Sequence, residues 1–399
     1  MNETHWLDAP GIVCALGADT ATVRARLLAA DCRGLRQEEG WVKNRSITLA
    51  AVDAALPEIP PHLPAHLHSR NNRLLLAAAQ QIEPQLRAAL DRYGAARVGI
   101  VLGTSTSGIN DNAPAFTTLA TTGSWPAGHD YRRQALNAPA EFLAEWLGTA
   151  GPAYTLSTAC TSSARALLSA RRLLQLNACD AVICGGADSL CRLTINGFAA
   201  LEAISDTRCL PFSANRAGIN IGEAAALFLM HREPTGDVAL LGGGGSSDAW
   251  HMSAPEPTGA GARQAMQAAL ADANLEANEI GWVNLHGTGT ALNDAMESHA
   301  MQSLFPSGVP CASTKGMTGH TLGAAGVLEA AITWLTLDRA SRGQPLPLHA
   351  WDGVPDPQLP TLDFCNGTQR YGERQRRIAM SNSFAFGGNN TSLILAAAS

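Results

Sequence analysis

Four side chains able to do covalent chemistry sit on turns that follow apolar, β-prone runs. They are Cys160 in Ser157-Thr-Ala-Cys160-Thr-Ser-Ser163, His286 in Leu285-His-Gly-Thr-Gly-Thr290, and Lys315 and His320 in Ser313-Thr-Lys315-Gly-Met-Thr-Gly-His320. A thiolate can take an acyl group, neutral imidazoles can stabilise charge growing on a thioester oxygen, and an ammonium can fix the polarity of a pocket. Strand ends in a parallel α/β architecture point to one edge, so these turns can converge on the cysteine. A fourth turn of the same form is Ser381-Asn-Ser-Phe-Ala-Phe386-Gly-Gly-Asn389-Asn390.

The elements around Cys160 set an expectation for its reactivity. Tyr154 to Thr158 reads as a short strand, and Ala164 to Leu174 as a helix whose apolar face is interrupted by Arg171 and Arg172. The hydroxyls of Thr161, Ser162 and Ser163 are N-cap candidates. A thiol at a helix N-terminus faces unpaired N–H groups and the positive end of the dipole, so its pKa is expected to be lowered.

The elements that must position these turns alternate strand and helix. Gly11 to Gly17 reads as a short strand and turn, Thr20 to Ala30 as a helix capped by Asp19 or Thr20, and Asn72 to Leu90 as one amphipathic helix. Val98 to Gly103, Asp180 to Gly186, Glu223 to Met230, Val238 to Leu241 and Trp282 to Leu285 read as strands, Ala260 to Ala273 and Gly323 to Leu337 as helices, and 109–150 as less regular chain. No Lys-Ser/Thr follows the glycine run Gly242 to Gly245, which excludes a phosphate-binding loop there. His62, His66 and His68 lie among Pro60, Pro61 and Pro64, which argues against helical metal-ligand spacing, and no metal site is expected.

Composition narrows the function classes. The chain has 399 residues, 38 of them glycine and only 16% charged, which suits a large, closely packed interior and a further buried surface such as a subunit interface. A net charge of −6 argues against a nucleic-acid binder. Local basic groups at Arg70/Arg73, Arg132/Arg133, Arg171/Arg172 and Arg374/Arg376/Arg377 are of the kind an acidic protein partner needs. Nine cysteines without a regular framework suit a reduced, cytoplasmic chain, and neither a secretory leader nor a membrane-spanning run is expected.

The second half echoes the first. A strand followed by Gly103-Thr-Ser-Thr matches one followed by Gly287-Thr-Gly-Thr290, and Ser157-Thr158 matches Ser313-Thr314, each pair ahead of a small-residue helix. The two offsets differ in a way that an insertion of about 28 residues in the first half explains. The expected fold class is α/β, in two related halves.

The four turns, together with Ser246-Ser-Asp-Ala-Trp-His-Met-Ser-Ala-Pro255, resemble the β-ketoacyl-acyl-carrier-protein synthases of the elongating (type I/II) class, within the thiolase superfamily, from about Gly11 to Leu395. The resemblance implies a thiolase-like five-layer αβαβα fold of two duplicated halves, 1–235 carrying the nucleophile and 236–399 the His/Lys/His and gate motifs. It implies that Cys160 accepts the acyl group, that His286 and His320 serve decarboxylation and condensation, and that Lys315 orders the site near Glu329. Backbone N–H groups of Cys160 and Phe386 would form the oxyanion hole, and Phe386 would gate the acyl pocket. Thr288, Thr290, Phe384 and Gly387 would contact substrate, and Asp248 to Ser253 would be a second mobile loop. Arg70, Arg73, Arg132 and Arg133 fall in segments that resemble the docking face for acyl carrier protein. No cofactor is implied beyond the carrier's phosphopantetheine, and the implied assembly is a homodimer or a heterodimer with a related subunit.

Three departures stand out. The opening strand is short and carries Pro10, Ala385 replaces the usual glycine before the gate phenylalanine, and Leu210 to Gly218 lacks the family's acidic residues. The short opening is similar to that of synthases of specialised pathways such as aryl polyenes. Two alternatives remain: a degradative thiolase, which needs a second cysteine where this chain has Phe386-Gly-Gly, and a chain-length-factor type subunit, which typically lacks Cys160's counterpart.

Overall fold

Runs that are apolar at every position need cover on both faces, and here they form the inner strands of a layered molecule. The computed structural model describes residues 4–234, 236–372 and 376–398; Arg374 lies outside them. In chain order the strands are β1 (His5–Leu7), β2 (Gly11–Val13), β3 (Leu35–Val42), β4 (Arg45–Ala50), β5 (Val98–Gly103), β6 (Ala153–Leu156), β7 (Ala181–Asp188), β8 (Ala224–His231), β9 (Val238–Ser247), β10 (Trp282–Asn284), β11 (Cys311–Ala312), β12 (Ile378–Phe384) and β13 (Asn389–Ala397). The helices are α1 (Thr20–Leu28), α2 (Arg70–Gln81), α3 (Glu83–Tyr93), α4 (Ile109–Thr122), α5 (Ala138–Leu147), α6 (Ser162–Gln175), α7 (Arg192–Ala200), α8 (Ala260–Ala273), α9 (Ala291–Leu304), α10 (Lys315–Thr318) and α11 (Ala325–Leu337).

One strand order occurs twice. The first half runs β6-β5-β7-β8-β2 and the second β11-β10-β12-β13-β9, so each set of five has the order 3-2-4-5-1. In both, the first three strands of that order are parallel and the remaining pairings antiparallel. The matching turns fall at matching places: Gly103 ends β5 as Gly287 follows β10, and Ser157 follows β6 as Ser313 follows β11. Between β5 and β6 lie α4 and α5, whereas α9 alone lies between β10 and β11, and the chain around α4 supplies the extra length of the first half.

Helices α6 and α11 pack on each other between the two sheets, α2 and α5 cover the outer face of the first, and α8 and α9 that of the second, giving the layers αβαβα. Small residues permit the central contact, since a Cβ on Gly326 would stand 2.7 Å from the Cβ of Ala164. The short opening strand β1 pairs antiparallel with both β8 and β9 and so joins the two sheets.

Three sequence expectations change. The single helix over 72–90 is two, broken at Ile82, because Pro84 in the first turn of α3 has no N–H to bond backward and its ring obstructs the carbonyl of Gln80. The glycine run belongs to β9, because Cβ atoms on Gly242 and Gly244 would lie 2.7 and 2.1 Å from backbone oxygens of α8. The region 109–150 is largely helical, in α4 and α5.

Candidate active site

Strand β6 delivers Cys160 on a strained turn. Ala159 takes a left-handed φ of 53°, which turns the chain sharply and presents the next side chain; a bulkier residue there would raise the cost. The hydroxyls expected to cap the helix fasten this turn instead: Thr161 Oγ1 donates to Thr158 O at 2.7 Å, Ser162 Oγ donates to Ala159 O at 2.5 Å, and Thr158 N donates to Ser162 Oγ at 2.9 Å. Helix α6 starts at Ser162, so Cys160 precedes its N-cap, Thr161. The thiol is 5% exposed, and this burial pushes it up to about 11, against the opposing pull of the Lys315 charge and the Phe386 N–H. The expected lowering of the pKa is therefore corrected: loss of water outweighs the favourable charges around the sulfur.

Both histidines face the sulfur. His320 Nε2 lies 3.0 Å from Cys160 Sγ, and the two imidazoles meet edge to face with centroids 5.3 Å apart. Burial, then Lys315, holds His320 well below its ordinary pKa, and the same two causes followed by His320 do so for His286. Both rings are neutral. Lys315 Nζ is 3.3 Å from His286 Nδ1, bonds the His286 carbonyl, and forms a fully buried ion pair with Glu329. An ammonium can only donate, so Nδ1 of His286 accepts and its proton resides on Nε2. That Nε2 is buried without a hydrogen-bond partner and belongs to the cavity wall.

Two acids missed from the sequence hold the His286 turn. Glu297 accepts from the N–H groups of His286 and Gly287 at 2.8 and 2.7 Å, and Asp294 accepts from those of Gly289 and Phe212 at 3.1 and 2.7 Å. Burial pushes Glu297 up to about 8 and Asp294 to about 6. Their positions, three apart on α9 and just beyond the Gly-Thr-Gly-Thr turn, were the available signal.

A narrow cavity at Cys160, about 10 Å³, is lined by His286, His320, Thr288, Thr290, Asn293, Phe198, Ile219, Phe384 and Phe386. A cleft of about 350 Å³ shares Thr290, Asn293 and Phe386 with it, so Phe386 stands between cleft and thiol. The Phe386 ring lies 5.5 Å from that of Phe198, and the hydroxyls of Thr288 and Thr290 are 3.0 Å apart. Beyond the gate, Gly387 and Gly388 have φ of 82° and 77°, whereas Ala385 keeps a negative φ and is tied to Asn389 O by its N–H at 2.7 Å. The left-handed positions are the two glycines, and the Cβ of Ala385 meets no backbone penalty in this conformation.

Cys160, His286 and His320 place one donor atom each within 4.8 Å of one another, an arrangement that could also grip a soft metal. The Lys315 ammonium against His286 opposes a divalent cation there. His66 pairs with Glu141 and His68 with the Leu63 carbonyl, so these two histidines point to separate partners.

The four docking candidates each have a partner within the chain. Arg70 pairs with the fully buried Glu223, Arg73 bonds the carbonyls of Leu56 and Pro57 and pairs with Glu58, Arg132 pairs with Asp130, and Arg133 bonds Asn112. Cys365, the cysteine nearest the C-terminus, is buried and does not line the Cys160 cavity.

Family comparisons agree with this geometry. A beta-ketoacyl synthase N-terminal domain matches residues 28–235 and a beta-ketoacyl synthase C-terminal domain matches 239–343. The chain belongs to the β-ketoacyl synthase family. It is an acyltransferase-type enzyme of that family, with ketosynthase chemistry. Among curated relatives, Nodulation protein E of Rhizobium meliloti is 30% identical over 96% of each chain, and 3-oxoacyl-[acyl-carrier-protein] synthase 2 of Staphylococcus aureus is 34% identical over 62% of each. Among solved structures, the ketosynthase ApeO in complex with its chain length factor ApeC from Xenorhabdus doucetiae is 46% identical, with a TM-score of 0.93 over 99% of this chain and 98% of that one. A beta-ketoacyl synthase from Burkholderia phymatum is 28% identical over both whole chains, with a TM-score of 0.87.

Proposed function

We propose that this ketosynthase condenses an acyl group carried on Cys160 with malonyl-acyl carrier protein, in a specialised polyene-type pathway. The observation that carries the reading is the contact between Cys160 Sγ and His320 Nε2 beside the unpartnered Nε2 of His286.

In the acylation half-reaction the sulfur attacks the thioester carbonyl of an acyl-carrier substrate. The S–H proton passes to His320 Nε2 and from there to the departing pantetheine sulfur, while the N–H groups of Cys160 and Phe386 face the tetrahedral oxyanion. In the second half-reaction malonyl-carrier protein occupies the cleft, with Thr288 and Thr290 against its arm. The C–CO₂ bond breaks, its electron pair forms the enolate, and His286 Nε2–H donates to the enolate oxygen. The carbanion then forms the carbon–carbon bond to the acyl carbonyl and the C–S bond to Cys160 breaks, returning the sulfur as thiolate to be reprotonated. With CO₂ released and one proton taken from water to return the thiol, the atoms balance without a cofactor beyond the carrier's phosphopantetheine.

The pathway and the partner follow from likeness. A 46% identical ketosynthase is described in complex with a chain length factor, which supports a heterodimer with a related subunit, although a homodimer fits the same fold. Cys160 with His320 Nε2 at 3.0 Å and a His286 nitrogen within 4.8 Å favours the condensing role over that of a chain-length-factor subunit. Among the described residues no helix is long and apolar enough to cross a membrane; a cytoplasmic setting is the companion proposal, consistent with nine free cysteines.

Mass analysis of carrier-bound products tests this, using the chain with its partner subunit and a panel of saturated and polyunsaturated acyl carriers. Condensation that vanishes in Cys160→Ala supports the reading, and a preference for polyunsaturated primers supports the pathway. Condensation that persists without Cys160 overturns both.

A further inference from the structure

We infer that Asp188, buried at the end of β7, is a positioning residue that holds the turn behind His320 and so aims Nε2 at the sulfur of Cys160. This rests on the ketosynthase reading above and adds to it a residue that lines neither the cavity nor the cleft. The His320 ring needs such support. Its Nε2 lies 3.0 Å from Cys160 Sγ, while its Nδ1 is buried without a hydrogen-bond partner. With no hydrogen bond to orient the imidazole from behind, packing and the main chain on either side of His320 decide where Nε2 points.

That main chain is held by different means on its two sides. At the ring itself, His320 N donates to Asn220 O at 2.7 Å and His320 O accepts from Gly222 N at 2.9 Å. Beyond it the chain turns sharply into α11 through Leu322, whose left-handed φ of 51° is one a leucine keeps only where its surroundings enforce it. Asp188 enforces it. Its Oδ2 accepts from Ala324 N at 3.1 Å, and Gly323 passes so close that a Cβ there would stand 2.7 Å from the same oxygen. The carboxylate is in turn fixed from the first half of the molecule: Ser105 N and Thr106 N each donate to Oδ1 at 2.8 Å, and the hydroxyls of Thr104 and Thr106 lie 2.7 and 2.8 Å from it.

Helix α11 explains why the group is a carboxylate. Its N-cap residue is Ala324, whose side chain cannot accept from the unpaired N–H groups of the first turn. Two of those groups bond to the other half of the chain instead, Ala324 N to Asp188 and Val327 N to Ser163 Oγ at 2.9 Å. Negative charge is favourable at this end of a helix. The two contacts have separate effects. Ser163, on α6, holds the body of α11 and with it Glu329, the partner of Lys315, whereas Asp188 holds the turn that joins α11 to His320. Asp188 is fully buried and these contacts are all with N–H or O–H groups, so an amide in its place would set its own N–H groups against donors. Its loss should therefore move His320 while Lys315 and His286 stay in place.

The test is a double-variant cycle on the full chain with its partner subunit, read by rapid-quench self-acylation of Cys160 and by CO₂ release from malonyl-carrier protein. Asp188→Asn is expected to slow acylation about 30-fold with the acyl-carrier KM within about twofold, and to leave decarboxylation within about threefold. In the His320→Ala background the same change should slow acylation by less than about twofold more, because the group it positions is gone. An undiminished loss in both backgrounds overturns the inference, as does a parallel fall of the two half-reactions that follows the folded fraction in thermal melts. Should Asp188→Asn not fold, Gly323→Ala presses on Oδ2 with the carboxylate still in place. The same selective loss of acylation, absent in the His320→Ala background, is then expected, and acylation at the unaltered rate overturns the inference. His320→Ala that acylates as fast as the unaltered chain defeats the catalytic reading itself, a result distinct from an additive Asp188→Asn.

Discussion

Lys315 Nζ lies 3.3 Å from Nδ1 of His286, and this contact decides which nitrogen of the imidazole carries its proton. Because the ammonium is also paired with Glu329 in full burial, the tautomer depends on an ion pair two side chains deep. Lys315→Met leaves Glu329 buried without its partner and is expected to cost about 3–5 kcal/mol of stability. Replacing both, Lys315→Met with Glu329→Met, should recover most of that loss, since an apolar pair of similar volume is often neutral. Malonyl decarboxylation should stay low in the double variant, by roughly 100-fold or more, because the Nε2–H donor is no longer fixed. Thermal melts and CO₂ release measured on the same preparations separate the two effects; decarboxylation that returns with stability would show that Lys315 is only a packing element.

The two histidines have different neighbours and should fail differently. His320 is the group at the sulfur, so His320→Ala is expected to slow self-acylation more than His286→Ala does. His286 presents the unpartnered donor, so His286→Ala should leave acylation within about tenfold while lowering decarboxylation by about 2.7–4 kcal/mol in barrier terms. Rapid-quench acylation and CO₂ release from malonyl-carrier protein give the two rates. An identical pattern in both variants would remove the division of labour.

Burial makes the resting thiol a poor nucleophile. With Cys160 pushed up to about 11, the thiolate fraction at neutral pH is small and grows about tenfold per pH unit below that value. Alkylation by iodoacetamide should therefore be slow at pH 7 and climb steadily through pH 9 with no plateau near neutrality. Peptide mapping of the modified cysteine reports this directly. A plateau between pH 6 and 8 would mean that the turn lowers the pKa as a helix N-terminus would, and that burial does not dominate.

The sequence carried the chemistry further than the environment. Cys160, His286, Lys315 and His320 are legible because each sits on a small-residue turn after an apolar, β-prone run, and such turns share an edge in this topology. The repeat was legible for the same reason, since Gly103 and Gly287 must serve equivalent turns. Dehydration of the thiol was not, because it arises from Phe384 and Phe386 together with Phe198, which reach the cavity from two distant segments. The commitment of Arg70 to Glu223, 153 residues away, was equally hidden: an arginine in sequence looks free until the fold brings up its acid. Glycines in β9 misled because their reason is the close passage of α8, a tertiary fact.

The same distinction between local and tertiary causes decides the gate. Ala385 departs from the family's glycine, which from sequence suggests a stiffened hinge, yet its φ is negative and the left-handed positions are Gly387 and Gly388. Ala385→Gly is accordingly expected to leave acylation rates with short and long acyl carriers within about twofold, since it removes only a methyl group from a position with ordinary backbone angles. Gly388→Ala should be harmful on two counts, a side chain at φ 77° and a Cβ placed 2.9 Å from that of Asp248. Strain of roughly 1–2 kcal/mol in the present conformation follows from the backbone alone. Asp248 takes a hydrogen bond from Asn390 at 2.6 Å and gives its own N–H to Gly388 O at 2.8 Å, so displacement of Gly388 also disturbs the loop that forms the cleft wall. Gly388→Ala should therefore alter the rate at which long acyl chains reach Cys160 more than the rate for acetyl, in stopped-flow acylation. Should Ala385→Gly be the variant that changes chain-length selectivity, with Gly388→Ala silent, the hinge lies before the phenylalanine and not after it.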